Sequence, residues 1–228
     1  MNIGTRSTIR DLIKKRRVTK NNILIKSGRE KVEPENDIIR LDQKEIIYQK
    51  YYYYLMNKPL GVITATKDRR QKTVLDLFNK VDYRKDLFPV GRLDKDTSGL
   101  LIITNDGILS HQLLSPNSHA KKVYEALITG KLEEDDINKI RRGIILKDGT
   151  SLKPADVKIL NFDDSNNTSL IQLTISEGKY HQIRRMIGSL GQRVLKLKRI
   201  SFAGLKLEDD LLPGTYKILT KDELESLK

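Results

Sequence analysis

The unbroken apolar run Leu100-Leu101-Ile102-Ile103, closed by Asn105-Asp106-Gly107, constrains this chain more than any other stretch. Four apolar residues in a row cannot alternate between a wet and a dry face, so the run reads as a buried strand ended by a turn. The segment in front of it, Gly91-Arg92-Leu93-Asp94-Lys95-Asp96-Thr97-Ser98-Gly99, follows a Phe88-Pro89 break and reads as a loop feeding that strand. A loop anchored on a rigid strand is where reactive groups tend to sit. Arg92 stands two residues before Asp94, and a carboxylate beside a guanidinium stays ionised because the opposite charge favours its charged form. From spacing alone, a catalytic loop and a solvated turn with one ion pair both remain open.

Around this strand the pattern from Tyr51 onward is one of hairpins with helices between. Tyr51–Met56 reads as a strand, Asn57-Lys58-Pro59-Leu60-Gly61 as a turn and Val62–Thr66 as the partner strand. Successive strand residues point to opposite faces, so the four tyrosines 51–54 suit sheet packing better than a base-stacking platform. A short helix capped by Thr73 and a helix from Asp106-Gly107 follow. Next come a strand that puts Tyr124, Ala126 and Ile128 on one face, and a helix marked by Ile137 and Ile140. Asp148-Gly149 marks a hairpin, and Ile171, Leu173 and Ile175 alternate as a strand. Ile183, Met186, Ile187 and Leu190 then lie at helical spacing before Gly191, with His181, Arg184 and Arg185 on the opposite face. Val194, Lys196 and Lys198 alternate with Leu195 and Leu197, and Thr220-Lys221-Asp222-Glu223 opens a last helix. The expected class is α+β, a largely antiparallel mixed sheet with flanking helices.

Charge divides the chain further. Residues 1–31 carry net +8 and residues 179–199 net +7, while the whole chain carries +13 and the remainder sums to −2. Two separate basic clusters point to a phosphate-bearing partner. Residues 1–42 read as a small module: a helix capped by Ser7 or Thr8 buries Ile9, Leu12 and Ile13. Arg6, Arg10, Lys14, Arg16 and Arg17 are then candidate RNA contacts. Residues 43–50 read as a linker and 51–228 as the main domain. There is no cysteine, which excludes disulfides and thiolate metal sites, and His111, His119 and His181 lack the spacing of a zinc helix. Neither a signal peptide nor a membrane-length apolar run is visible, and the expectation is a soluble, cytoplasmic monomer.

The Asp94 loop, Tyr124 and the His181–Arg185 segment could meet at one site. A carboxylate serves as nucleophile or base, an aromatic ring stacks on an unpaired base, and an enzyme acting on a base in structured RNA must first extract it. Each residue also has a plain structural reading: Asp94 a turn acid, Tyr124 a core residue, Arg184 a phosphate contact, His181 a partner for backbone groups where loop meets helix. The residues alone lead to an RNA-acting chain with a candidate carboxylate site.

Two resemblances sharpen this. Gly4-Thr5-Arg6-Ser7, the helix through Leu12-Ile13 and Lys15-Arg16-Arg17-Val18 resemble the second half of an S4 domain, with that module's opening helix absent. Gly91-Arg92-Leu93-Asp94 with Thr97-Ser98-Gly99-Leu100, then Lys122-Val123-Tyr124, then Gly178-Lys179-Tyr180-His181-Gln182-Ile183-Arg184-Arg185-Met186, resemble the ordered motifs of RNA pseudouridine synthases, the RsuA-like group in particular. Lys58-Pro59-Leu60-Gly61 and Leu197-Lys198-Arg199-Ile200 fit as well. The resemblance implies that Asp94 is the catalytic acid, acting on the ribose of a flipped uridine at C1′ or by removing the C2′ proton. It implies that Tyr124 stacks on the base and helps remove the C5 proton, that Arg184 pairs with Asp94, and that Arg92 enters the vacated space. Leu197 would pack against the ring, and Lys179 and Arg185 would add RNA contacts. The implied partner is ribosomal RNA or a ribosomal subunit assembly intermediate, and the implied reaction is an isomerisation without cofactor or metal. The connector Ser115-Pro116-Asn117-Ser118-His119 looks like the subtype that modifies 16S rRNA. A 23S rRNA enzyme, a non-catalytic rRNA-binding or assembly factor, and a glycosylase or nuclease are the alternatives.

Overall fold

The computed structural model describes residues 3–115, 118 and 120–227, in two compact units, residues 1–51 and 52–228. In the first, helix α1 (Arg6–Lys14) is capped by Thr5, whose hydroxyl accepts from Thr8 N at 3.2 Å. Ser7 and Thr8, the expected caps, fall inside the first turn because the helix starts earlier. Strands β1 (Val18–Lys20), β2 (Ile23–Leu24), β3 (Ile39–Leu41) and β4 (Lys44–Glu45) form a sheet in the order β2-β1-β3-β4. Its two tight hairpins turn on Asn21-Asn22 and Asp42-Gln43, all with positive φ. Side chains that tolerate the left-handed region suit such two-residue loops. The supposed 43–50 linker therefore opens inside this sheet, with Lys44 opposite Leu41. Ile13, Val18 and Ile25 make the core, with Ile9 and Leu12 against it.

The second unit is built on a nine-stranded sheet. Its strands are β5 (Tyr53–Lys58), β6 (Phe88–Pro89), β7 (Ser98–Thr104), β8 (Lys122–Thr129), β9 (Asp156–Asp163), β10 (Thr168–Ile175), β11 (Val194–Phe202), β12 (Leu205–Lys206) and β13 (Tyr216–Ile218). The main path runs β13-β5-β7-β11-β8-β10-β9, with β6 on β7 and β12 on β11. Every pairing is antiparallel except β7 with β11. Leu100, Leu101, Ile102 and Ile103 are fully buried as their run required, and they divide between two cores. Leu101 and Ile103 face α3 (Glu134–Arg142) and α4 (Gln182–Ser189). Leu100 and Ile102 face α2 (Gly107–Leu114) and the segment of α5 (Lys221–Glu225). The fold is α+β, as the hairpin pattern indicates.

Three local expectations fail for identifiable reasons. Residues 62–66 do not pair with β5, whose neighbours are β7 and β13; only an isolated bridge joins Ile63 to Thr73. The alternation in β11 breaks at a register shift between Val194 and Lys196, which leaves Leu195 exposed while Leu197 is buried. The Phe88-Pro89 break is a two-residue strand on β7. No helix among the described residues is long and apolar enough to cross a membrane.

Candidate active site

The loop ahead of β7 is held by its own backbone and by one buried cation. Thr97 N donates to Asp94 O at 3.0 Å, closing a turn around Lys95 and Asp96. Lys58, at the end of β5 and wholly buried, donates from Nζ to Thr97 O (2.8 Å), Asp94 O (3.0 Å) and Pro59 O (3.1 Å). Thr64 Oγ1 donates to Leu93 O at 2.7 Å and accepts from Leu93 N at 3.1 Å. This explains residues 62–66: their work is to bind the loop, so they do not join the sheet. Gly61 N adds a bond to Lys95 O at 2.9 Å.

Opposite the loop, β8 and β11 present Tyr124 and Leu197, and α4 with its leading turn presents Lys179, Tyr180, His181 and Arg184. Together with Arg92, Asp94 and Thr97 these line one cavity of about 350 Å³, a size at the lower end for a small-molecule or nucleobase site. The Asp94 carboxylate is one-third exposed there, and His181 Nε2 lies 3.6 Å from its Oδ1. Tyr124 is 8% exposed, and its hydroxyl has no hydrogen-bond partner among the described residues.

Several expected partnerships are replaced. Arg184 pairs with the Asp96 carboxylate at 2.8 Å, not with Asp94, and also donates to Asp96 O (3.0 Å) and Val194 O (3.1 Å). The turn separates the two acids, and three acceptors gathered on one side of α4 fix the guanidinium there. Arg92 is exposed and makes no ion pair among the described residues, so it is not what faces Asp94. His181 makes no side-chain capping bond; it takes the left-handed conformation (φ 47°, ψ 34°) and turns its ring toward Asp94. Arg185 is bound to Asp148, and Lys179 to the Ser151 carbonyl, both in the hairpin 146–151. Arg199, counted in the second basic cluster, is 2% exposed and donates from Nε to Leu100 O at 2.7 Å. A window of sequence counts charge without knowing which side chains the fold spends internally. Conversely, Lys67, Arg69, Arg70 and Lys72 are all exposed in a loop that Gln71 ties to Lys95 at 2.9 Å. The averaged remainder of −2 hid them. In the first unit Arg6, Arg10, Lys14 and Arg16 are exposed without an ion pair among the described residues, whereas Arg17 is held by Asp42. Pro116, Asn117 and His119 of the 115–119 connector lie outside the described residues.

The cavity's motifs are those of a known family. A family model described as RNA pseudouridylate synthase matches residues 52–189. The chain belongs to the RNA pseudouridylate synthase family. An uncharacterised RNA pseudouridine synthase of Bacillus subtilis is 40% identical over 98% of this chain and 93% of its own length. A ribosomal large subunit pseudouridine synthase B of Bacillus subtilis is 37% identical, covering 99% and 91%. A ribosomal small subunit pseudouridine synthase A of Yersinia pestis is 35% identical, covering 98% and 92%. A crystal structure of a pseudouridylate synthase superposes with a TM-score of 0.71 at 33% identity, over 98% of this chain and 94% of that one.

The synthase also holds functional candidates that sequence reasoning passed over. Gln182 is buried; its Oε1 accepts from Lys179 N and its Nε2 donates to Glu177 Oε1, both at 2.9 Å, which shapes the turn carrying Tyr180 and His181. Lys58 was legible only as part of a turn motif. Burial pulls its pKa from 10.5 down to about 8, against the opposing pull of Asp94 and Asp96. Between those two values the unfolded chain keeps a proton that the fold gives up, so stability rises with pH across that window and the full cost stands below about 8. In Lys58→Met that increment disappears. The unfolding free energy of the unaltered synthase, relative to this variant, should rise by about 3 kcal/mol between about pH 7.5 and 10.5, measured by urea titration. At neutral pH the variant should lose about 10²-fold in turnover, because three carbonyls of the Asp94 turn lose their common donor and a small misplacement is costly.

Proposed function

We propose that this synthase isomerises a uridine of ribosomal RNA to pseudouridine, with Asp94 as the reacting group. The observation that supports this most is the meeting of Asp94, Tyr124, Arg184 and Leu197 on one cavity, with an Asp94 carboxylate that no arginine covers. The uridine leaves its stack and enters the cavity. Asp94 either attacks C1′ as N1 departs, and is displaced when C5 of the turned uracil bonds to C1′, or takes the C2′ proton as the C1′–N1 bond breaks and returns it to C2′ once C5 has bonded to C1′. On both routes the C5 proton is lost as N1 gains one. Atoms balance without a second substrate. Tyr124 stacks on the base, and its free hydroxyl is placed to assist the C5 proton. Leu197 packs beside the ring. Arg184 positions the Asp94 turn through Asp96 and does not bind Asp94 itself. Arg92 fills the space the nucleotide vacates.

The exposed Arg6, Arg10, Lys14 and Arg16 of the S4-like module bind phosphates, as do Lys67, Arg69, Arg70 and Lys72. We take 16S rRNA as the first target, on the form of the 115–119 connector. The observation favouring 23S rRNA is the 37% identity to a relative named for the large subunit, against 35% for one named for the small. Pseudouridine mapping in both rRNAs, from cells with and without the gene, tests the proposal: one site should vanish with the gene. An unchanged map in both rRNAs, with no label released from RNA tritiated at uridine C5, would sink it and favour a non-catalytic binder.

A further inference from the structure

Tyr180 is 74% exposed, yet its ring is not free to wander. It lies flat on the His181 imidazole, with centroids 3.9 Å apart and planes 16° from parallel. His181 is itself fixed: its backbone sits in the left-handed region at the start of α4, and its Nε2 lies 3.6 Å from Asp94. Gln182 pins the turn beneath by its bonds to Lys179 N and Glu177. One face of the Tyr180 ring is therefore covered by a neighbour whose position is set by the cavity, and the other face is left to solvent. A lone exposed aromatic needs no explanation in general. This one is pre-stacked and belongs to the lining of the same cavity as Asp94 and Tyr124.

When a uridine is drawn out of its stack, each base beside it loses a neighbour, at a cost of a few kcal/mol. A flat ring at the mouth of the receiving cavity replaces that neighbour for any base, since every base has a π-face. We infer that the outer face of Tyr180 is a stacking platform for the unpaired base next to the extruded uridine. This rests on the uridine-flipping reading above and adds a positioning residue to it. The Tyr180 hydroxyl has no partner among the described residues, so the ring alone carries the role.

The test uses the full chain and a short single-stranded RNA with one uridine flanked on each side by 2-aminopurine, whose fluorescence is quenched by aromatic stacking. The unaltered chain should quench it. Tyr180→Ala should abolish the quenching and raise Kd about 5- to 150-fold, while Tyr180→Phe retains both. A merely structural tyrosine would shift the turn and lower kcat without touching the quench. Quenching and affinity unchanged in Tyr180→Ala would overturn the inference, as would loss of both in Tyr180→Phe. Label release from C5-tritiated RNA, run in parallel, separates the two readings. Quenching without release leaves the platform standing and the isomerase reading fallen; release with a Tyr180-independent quench does the reverse.

Discussion

Asp94→Asn should bind RNA like the unaltered chain and release no label from RNA tritiated at uridine C5, a fall of at least about 10⁴-fold. The amide keeps the volume of the acid but neither attacks C1′ nor accepts the C2′ proton. The fold should not notice. The turn is held through the Asp94 carbonyl, which accepts from Lys58 Nζ and Thr97 N, and both bonds survive the substitution. The carboxylate's own side-chain neighbour is a partly exposed histidine at 3.6 Å, so the loss in stability should stay below about 1 kcal/mol. Urea midpoints and RNA affinity therefore serve as controls on the same preparation. Label release near the normal rate would remove Asp94 from the reaction, and loss of binding together with release would make it a residue of the fold.

What the sequence could and could not carry follows from the range of each interaction. The run Leu100–Ile103 needed no partner to be read as buried, because its own composition forbids a wet face. The alternation of Tyr124, Ala126 and Ile128 likewise carries its register with it, and all three are buried. Capping pairs are as local: Thr73 with Asp76 and Thr220 with Glu223 are both present. Pairings across the sheet were not legible. Arg184 could have met Asp94 or Asp96, two residues apart, and only the turn decides. Val62–Thr66 has strand composition, and nothing local says that Thr64 is committed to Leu93 instead. Lys58, Arg199 and Arg185 look like surface cations by type and are spent on carbonyls or an acid supplied from elsewhere in the chain. The seam between β7 and β11 is the extreme case, since its partners stand a hundred residues apart in sequence.

That seam sets the largest expected loss of stability, in Gly99→Ala. Gly99 has φ +106°, a conformation L side chains rarely adopt. A Cβ there would sit 2.2 Å from Arg199 O and 2.7 Å from Arg199 N. Both are backbone atoms, so no rotamer change relieves the clash. Nor can Arg199 retreat: it pairs with Tyr124 across β8, and its guanidinium is buried with Nε on Leu100 O. The two strands must part, and with only Lys198–Ser98 and Arg199–Gly99 in register the contact has little to spare. The expected cost is about 3–5 kcal/mol, a large share of the stability of an ordinary domain. β7 carries the Asp94 loop, while β8 and β11 carry Tyr124 and Leu197, so the seam also sets the width of the cavity. At a temperature where the variant remains folded, turnover should still be down by about 10²-fold. Gly107→Ala is the matched control, because its Cβ would meet nothing within 4 Å. It should leave the urea midpoint and label release in place. Equal midpoints for Gly99→Ala and the unaltered chain would mean that something other than this strand contact holds Asp94 across from Tyr124.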